Sequence, residues 1–412
     1  MLRFSRKEVL QNVLSVPRRR GVLILLSLIL SACADLPHHH AKAPDAGQVV
    51  AAPRSPGAAP DRVPPEHTPA LDLHAVTDLE GIIPVLADKR VVLVGETHDR
   101  YDNHLMQLEI IRRLHALHPK LAIGMEMFQQ PFQGVLDDYI AGRIDEKQLL
   151  RDTEYYRRWR FDFRLYAPIL EYAREQKIPV VALNVPVELT SKVAREGFAG
   201  LTEAERKQLP AEIDRSDAAY EARLRAIYQH HPGIDGHGFG KFVDVQLLWD
   251  EGMAERAADY LRDNPDELLV VLAGSGHLAY GSGIPQRLTR RVGGTSAIVL
   301  NDWEGTLEPG LADYLLLPQE QTLPPSGKFG ALLDEQEGKL RIEQCLPDSP
   351  CQRAGLHQGD QIVAINGESV ADLADLRVAT WDKRPGDSVT LQVRRQRWFR
   401  APQDLSFEIV LR

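Results

Sequence analysis

The sequence predicts an α/β protein with a mostly parallel sheet, helices on both faces and a helical insertion, followed by a small β-rich domain. Five apolar runs of four to six residues recur before residue 301 and are separated by stretches of helical pattern. Runs that are apolar throughout are typical of strands buried on both faces. Strands that alternate with helices favour a parallel sheet whose faces are covered.

The first run, residues 91–94, ends at Gly95 and is followed at once by Glu96 and His98. A helix is predicted directly afterwards, because apolar residues recur at helical spacing in Leu105, Leu108, Ile111 and Leu114. Ligands of α/β sheets bind beyond the carboxyl ends of the strands. This loop is therefore a candidate site, although an ordinary βα loop with a capping aspartate has the same pattern.

Each of the other four runs also ends in a polar residue. The runs and the residues that follow them are 121–125 with Glu126, 178–183 with Asn184, 268–273 with His277 in Gly274-Ser275-Gly276-His277, and 297–300 with Asp302. Because the carboxyl ends of parallel strands meet at one edge of a sheet, we expect these side chains to gather in one cleft. The ends of the first and fourth strands should lie close together.

A long and mostly helical insertion is predicted between the third and fourth runs, with helices at 202–209 and 214–228. A further helix places apolar side chains on one face, namely Phe242, Val245, Trp249 and Met253. Such a stripe is more often core than a cofactor site, but it can supply an apolar wall to a flat ligand.

The N-terminus, residues 1–32, contains basic residues, then the apolar run 22–30 and small residues, which predicts a secretory signal. The run is too short to cross a bilayer as a helix. Leu30-Ser31-Ala32-Cys33 resembles a bacterial lipobox, in which Cys33 is lipidated; a plain signal peptide that contains a cysteine is the alternative. The residue after Cys33 is Ala34 and not aspartate. In bacterial lipoproteins this implies sorting to the outer membrane, so the resemblance implies an envelope protein that faces the periplasm or the cell surface.

Removing residues 1–32 takes away six basic residues and one acidic residue, so the formal net charge falls from −9 to −14. This balance argues against nucleic acid as a partner, because nucleic-acid binding calls for a basic surface.

Residues 33–69 are rich in Ala, Pro, Gly and His, which predicts a disordered stalk. Cys345 and Cys351 could form a disulfide in an oxidising compartment.

The C-terminal part, residues 327–412, follows a proline-containing linker at 316–326. Asn366-Gly367, directly after an apolar run, predicts a hairpin turn. The segment from Gly359 to Gly367 resembles a bacterial PDZ domain, which binds an extended peptide by adding it as a strand to a sheet edge. The resemblance assigns peptide binding to Phe329, Gly330, Ala331 and Leu332.

Several separated motifs between residues 71 and 314 resemble the ChaN family, which comprises iron-regulated, haem-binding bacterial lipoproteins of the Tiki superfamily. The motifs are Gly95-Glu96-Thr97-His98-Asp99, Glu126-Met127-Phe128, the segment Gln246 to Ala254, and Gly274-Ser275-Gly276-His277 with Tyr280 to Pro285. The resemblance implies a haem-binding domain at 70–315 and a homodimer that holds two haems face to face. The paired Gly-x-x-His motifs also resemble those of Tiki-type metallopeptidases and, more distantly, erythromycin esterases.

Haem binding, for iron acquisition or haem handling, is the preferred function. Tyrosine and histidine are both suitable axial ligands of haem iron. Tyr280, in a glycine-rich loop after His277, is the predicted axial ligand, and His98 or His277 is predicted to hydrogen-bond near the iron. The remaining members of the predicted haem site are Glu96, Glu126 and Asn184.

A metal-dependent hydrolase or peptidase is the first alternative. His98, His277 and a carboxylate from Glu126 or Glu96 would bind a divalent ion such as Zn²⁺ or Mn²⁺, and the other glutamate would be the general base toward a metal-bound water. A non-enzymatic scaffold, whose PDZ domain recruits a protein or peptide partner at the membrane, is the second alternative.

Overall fold

The computed structural model describes residues 73–229, 238–303 and 307–412. The predicted signal sequence, Cys33 and the predicted stalk lie outside the described residues. Within these ranges, the strands of the first domain are β1 (Val91–Glu96), β2 (Leu121–Gln129), β3 (Val180–Asn184), β4 (Leu268–Gly274), β5 (Ser296–Asn301) and β6 (Tyr314–Leu316). They pair in parallel in the order β3-β2-β4-β1-β5-β6. The predicted fold class is confirmed.

Helices cover both faces of this sheet. In chain order they are α1 (Leu79–Ala87), α2 (Tyr101–Leu117), α3 (Gln133–Ile140), α4 (Glu146–Asp152), α5 (Tyr155–Arg158), α6 (Ala167–Gln176), α7 (Val187–Glu196), α8 (Glu203–Arg206), α9 (Ala218–Gln229), α10 (Phe239–Asp263) and α11 (Ile284–Val292). Side chains of β1 alternate between two apolar cores, with Val92 and Val94 in one and Val91 and Leu93 in the other. Burial of each contributes about 2 kcal/mol, which explains why the run is apolar throughout.

The helical insertion lies between β3 and β4 and comprises α7 to α10. The buried side of α10 includes Val245 and Met253, as the apolar stripe predicts, whereas Trp249 is half-buried. Helix α9 begins later than predicted, because the Asp217 carboxylate accepts a hydrogen bond from Tyr220 N (2.8 Å) and caps the helix there. No helix in the described part of the chain has the length and apolar character needed to cross a membrane.

Two strands continue beyond the residues at which the sequence predicts their ends. β1 runs through Gly95 to Glu96, because Gly95 pairs with Ala273 on one side and with Leu300 on the other. β2 likewise continues past Glu126. Both glutamates are therefore strand residues, which fixes their backbones more firmly than a loop would. The short β6 was not predicted; only three residues long, it overlaps the start of the predicted linker.

The second domain is an antiparallel sheet with two helices. Its elements are β7 (Ala331–Gln336), β8 (Lys339–Cys345), α12 (Pro350–Arg353), β9 (Gln361–Ile365), β10 (Glu368–Ser369), α13 (Leu373–Thr380), β11 (Ser388–Arg397) and β12 (Arg400–Val410). The strand order is β12-β11-β9-β8-β7, with β10 beside β9. Asn366 and Gly367 join β9 to β10 with φ angles of +49° and +82°, which confirms the predicted hairpin turn. Cys345 and Cys351 form a disulfide.

Helix α13 joins the second domain to the first. Arg157 of α5 lies 2.6 Å from Asp372, the N-cap residue of α13. The Phe163 ring packs edge-on against Trp381, with 5.2 Å between ring centroids. The segment 155–163 therefore supports the second domain, and its other side contributes to the site described next.

Candidate functional site

The first imidazole–carboxylate pair lies at the carboxyl end of β1. His98 Nδ1 is 2.5 Å from Glu96 Oε1, and both side chains are buried. The carbonyl of His98 accepts a hydrogen bond from the Tyr166 hydroxyl (3.3 Å) and lies 3.2 Å from His104 Nε2. These contacts fix the backbone and the ring of His98, so that Nε2 is the nitrogen left for other partners.

The second pair lies just beyond β4. His277 ends a short 3₁₀ turn, and its Nδ1 is 2.6 Å from Oδ1 of Asp250 on α10. The other oxygen of Asp250 accepts a hydrogen bond from the Tyr220 hydroxyl (2.5 Å). All three side chains are buried. A carboxylate that holds Nδ1 fixes the orientation of an imidazole and directs Nε2 to the site.

Glu126 of β2 connects the two pairs. Its Oε2 accepts a hydrogen bond from Gly274 N (2.8 Å), and its Oε1 lies 3.5 Å from His277 Nε2. The absence of a side chain at Gly274 leaves room for the His98 ring, because a Cβ there would lie 3.0 Å from His98 Cε1. Glu96 and Gly274 are direct partners in the register of β1 and β4. This strand pairing brings the two histidines to one site, as the sequence predicts.

The carboxylates of the cluster control the protonation of the two imidazoles. Burial by itself would lower the pKa of His277, but Glu126, Asp250 and Glu96 outweigh burial and raise this pKa from 6.5 to about 9. Burial also opposes protonation of His98, and the charges of Glu96 and Glu126 raise its pKa above the ordinary value. For Glu96, burial favours a higher pKa, but the neighbouring histidines bring it below the usual range. At neutral pH His277 is therefore an imidazolium.

A solvent-open cleft of about 540 Å³ lies beside this cluster, and Glu126 is part of its lining. Two tryptophans in the lining contact the imidazoles. Trp159 packs edge-on against His98 with 4.8 Å between ring centroids, and Trp249 packs edge-on against His277 with 6.1 Å.

Further polar groups of the lining come from the end of β3 and from Arg158. Asn184 donates a hydrogen bond through Nδ2 to the carbonyl of Glu126 (3.1 Å). Arg158 donates to Gln129 (2.8 Å) and forms an ion pair with Glu188 (2.8 Å). Aromatic walls with a few convergent polar groups are typical of a site for a largely apolar small molecule.

Tyr280, the predicted axial ligand, is not among the residues that line this cleft. It is half-buried, its hydroxyl is 3.4 Å from Glu308 Oε2, and the Arg223 guanidinium lies 4.8 Å from its ring centroid. Trp303 packs edge-on against the ring at 6.5 Å. Tyr280, Trp303 and Trp249 all pack against the same apolar core. The phenol is thus at the surface, on the side of the sheet to which Trp249 belongs.

The end of β5 does not contribute to the histidine cluster. Asp302 forms an ion pair with Arg100 (3.2 Å), and both side chains are about one-third exposed. Asn301, which precedes it, donates a hydrogen bond to the carbonyl of Gly95 (3.0 Å). The expected gathering of strand ends is therefore observed for β1 to β4 and not for Asp302, which lies on the other side of β1.

Within the described ranges, no group of three His, Cys, Asp or Glu side chains is arranged to hold a metal ion. The predicted set of His98, His277 and Glu126 belongs to these ranges and does not form such a group. The geometry therefore gives no support to the metal-dependent hydrolase, in which Glu96 or Glu126 would be the base.

The sequence did not predict the roles of Asp250, Tyr220 or Trp159. Asp250 lies in the segment Gln246 to Ala254 that carries the family resemblance, but the sequence does not show that it and Glu251 are buried. Trp159 carried no signal, since the segment around it has neither strand alternation nor a long helical period. Only the tertiary contact with His98 reveals that this side chain belongs to the site.

Comparison with known proteins identifies both domains. The model of a family described as haem-binding uptake, Tiki superfamily, ChaN matches residues 82–288, which is half of the chain. The chain belongs to the ChaN family. The PDZ domain model matches residues 327–405. The residues of the ChaN match include both Gly-x-x-His motifs and the whole imidazole–carboxylate cluster.

Individual relatives resemble parts of this ChaN-family chain. The chloroplastic protein RETICULATA-RELATED 5 of Arabidopsis thaliana is 26% identical over 248 residues, which are 54% of this chain and 32% of that protein. A probable periplasmic DegP-like serine endoprotease of Chlamydia muridarum is 32% identical over 127 residues, which are 31% of this chain and 24% of that protein. The chain thus spans a third or less of the length of these curated relatives.

A solved structure of ChaN from Campylobacter jejuni, described as showing cofacial haem binding, is 19% identical to this chain. The alignment covers 59% of this chain and 92% of that chain, with a TM-score of 0.47.

Proposed function

We propose that this protein binds haem with its α/β domain, binds a peptide or protein segment with its PDZ domain, and is held in the cell envelope by a lipid on Cys33. The observation that carries the haem proposal is the aromatic-walled cleft over the imidazole–carboxylate cluster, in a chain of the ChaN family. Haem presents a wide apolar ring, an iron that requires an axial ligand, and two propionates. Each of these has a matching group in the domain.

The donor set suits haem iron. Trp159 and Trp249 offer apolar surface to a flat ring, and Tyr280 offers a phenolic oxygen, which is an established kind of axial ligand. His277 carries protons on both nitrogens at neutral pH, so it donates hydrogen bonds and does not ligate iron. We therefore assign the axial position to Tyr280, with His98 and His277 as supporting hydrogen-bonding groups.

Cations for the propionates lie close to these groups. The Arg223 guanidinium stacks over Tyr280, and Arg158 belongs to the cleft lining. Arginine forms bidentate hydrogen bonds with carboxylates, so either residue is suited to a propionate. On haem binding, Arg158 would exchange its ion pair with the exposed Glu188 for one with a propionate. An ion pair with an exposed partner contributes little free energy, so the exchange costs little.

A homodimer would complete the haem site. Tyr280 and Trp303 present a half-exposed aromatic surface, whereas the tryptophan-lined cleft is a separate part of the same chain. A second copy could place its cleft against the Tyr280 surface of the first, so that each haem touches both chains. This arrangement agrees with the two cofacial haems that the family resemblance implies.

The proposed function is tested by titrating the mature chain, residues 34–412, with ferric haem. We expect a saturable change of the Soret absorption at one haem per chain, together with a doubling of the mass measured by light scattering. The matched blank is haem titrated into buffer. Absence of a saturable change at micromolar haem would refute haem binding and leave the non-enzymatic PDZ scaffold as the better description.

Strand β7 supports the peptide-binding proposal for the PDZ domain. It is one of the two edge strands of the second sheet, and Leu332 at its start is about half exposed. Gly330 has φ of +69°, and its carbonyl accepts a hydrogen bond from Leu346 N (2.9 Å), which shapes the loop before β7. An extended peptide can add to such an edge by backbone hydrogen bonds, with Phe329, Gly330, Ala331 and Leu332 as the first contacts.

The envelope anchor gives a separate prediction. Cys33→Ala should move the protein from the membrane fraction to the soluble fraction of fractionated cells, because the acyl chains are the proposed anchor. Immunoblotting of both fractions after a high-salt wash measures this shift. A Cys345→Ala variant, in which another cysteine is replaced, is the control and should stay with the membranes. Cys33→Ala protein that remains in the washed membranes as fully as the parent chain would contradict lipidation at this residue.

A further inference from the structure

The hairpin of β11 and β12 extends beyond the core of the PDZ domain. In its first half, Val389, Leu391 and Val393 are buried, whereas residues 396–402 are all exposed. No described side chain covers this outer end. A two-stranded ribbon without a packed face gains little stability from itself. The composition of its tip therefore calls for an explanation outside the folding of the domain.

The tip consists of two aromatic residues. Trp398 is 89% exposed and Phe399 is 99% exposed, and their rings contact each other edge-on at 6.0 Å between centroids. Arg397 pairs with Arg400 across the ladder, so Trp398 and Phe399 form a two-residue turn. Turns of this length favour asparagine or glycine, yet Phe399 adopts φ of +58°. Neither packing nor turn geometry accounts for two large apolar side chains here.

Basic side chains flank this aromatic pair. Arg397 and Arg400 adjoin it directly, and no described carboxylate forms an ion pair with either. Arg394 and Arg395, farther from the tip, are paired with Asp404 (2.8 Å) and Asp360 (2.6 Å) respectively. The tip therefore carries two uncompensated positive charges on a chain whose formal net charge is −9.

We propose that this hairpin tip, defined as residues 397–400, inserts into the headgroup region of an anionic phospholipid membrane. Aromatic residues, tryptophan above all, favour the membrane–water interface. Flanking arginines add attraction to anionic lipid of about 1 kcal/mol each. Exposed aromatic side chains flanked by basic residues are typical of peripheral membrane-binding sites, and the tip has both features.

A protein partner fits the tip less well. Two aromatic side chains bury roughly 300–500 Å² in total. A stable protein interface buries about 800 Å² on each partner, which is more than this two-residue tip can supply. Insertion into a fluid headgroup layer needs no complementary surface. The tip would thus give the protein a second membrane contact beside the proposed lipid, and stable anchoring commonly takes two such contacts.

The test uses the mature chain, residues 34–412, which lacks the acyl group and keeps every described residue. Vesicles of phosphatidylcholine with 30% phosphatidylglycerol are the probe, compared with vesicles of phosphatidylcholine alone. We expect cosedimentation with the anionic vesicles and a blue shift of tryptophan fluorescence that is absent in Trp398→Phe. The variant Trp398→Ser/Phe399→Ser should bind at least 10-fold more weakly, and Arg397→Gln/Arg400→Gln about 30-fold more weakly, as two charges predict.

Leu317→Ser is the matched control, because Leu317 is 78% exposed but lies in the linker region. It should bind the vesicles like the parent chain. Equal vesicle binding by the tip variants and the parent chain, or no binding by the parent chain, would overturn the proposal. Self-association in sedimentation that is lost only in the tip variants, without vesicle binding, would identify a second copy of the chain as the partner and would equally overturn it.

Discussion

Replacing Tyr280 by phenylalanine is expected to lower the affinity for ferric haem by about 100-fold, or about 2.7 kcal/mol, and to remove the tyrosinate-to-iron charge-transfer absorption. The substitution deletes only the phenolic oxygen. The ring keeps its contacts with Arg223 and Trp303, so apolar packing of haem should survive. Absorption spectra and haem titrations of the mature chain measure both effects.

Tyr172→Phe is the matched control for this prediction. The Tyr172 hydroxyl also has a side-chain partner, His115 at 3.1 Å, but it lies on α6 and is not part of the cleft lining. Its haem spectrum and affinity should equal those of the parent chain. An unchanged spectrum in Tyr280→Phe would remove Tyr280 as the axial ligand while leaving haem binding intact, and the outcome would direct the search to His98.

Burial of Tyr280 is the largest contribution that raises the pKa of its phenol, and Glu308 adds to it, whereas Arg223 opposes the increase. The free phenol is therefore protonated at neutral pH, and ligation of ferric iron must release this proton. Haem affinity should accordingly increase with pH below the phenol pKa.

Glu308→Gln should strengthen haem binding slightly, because it removes a negative charge 3.4 Å from the oxygen that becomes anionic.

The strands were predictable because their burial on both faces leaves an unmistakable pattern. The run at 91–94 contributes alternate side chains to two cores, so every position must be apolar. The meeting of His98 and His277 was also predictable, since each follows a parallel strand at the same edge. The prediction needed only that β1 and β4 lie close together in the sheet. They are in fact neighbours, and their register places Glu96 beside Gly274.

The partners of these histidines could not be predicted, because they come from elements without a strand-end signal. Asp250 lies within α10, and the sequence alone does not show which side of that helix faces His277. Trp159 reaches His98 from an irregular segment whose position depends on how α5 and the second domain pack. The surface position of Tyr280 likewise depends on a left-handed backbone conformation, with φ of +61°, that its residue type does not indicate.

Removing the buried partner of His277 should have the largest effect on stability. Asp250→Ala is expected to lower the free energy of unfolding at pH 7 by about 3–5 kcal/mol, because it leaves a buried imidazole without its carboxylate and the Tyr220 hydroxyl without its acceptor. Urea unfolding followed by circular dichroism measures the change. Asp259→Ala, on the same helix but in an exposed pair with Arg262, is the matched control and should change stability by less than about 1 kcal/mol.

The same variant should also change how stability depends on pH. The pKa of His277 is raised from 6.5 to about 9 in the folded state, so its stabilising contribution is complete below pH 6.5 and is lost as the pH rises through 9. The parent chain should therefore lose more stability than Asp250→Ala over this interval, because Asp250 causes part of the pKa increase, whereas Glu126 and Glu96 remain in the variant. An equal loss in both chains would show that Asp250 does not hold the proton on His277.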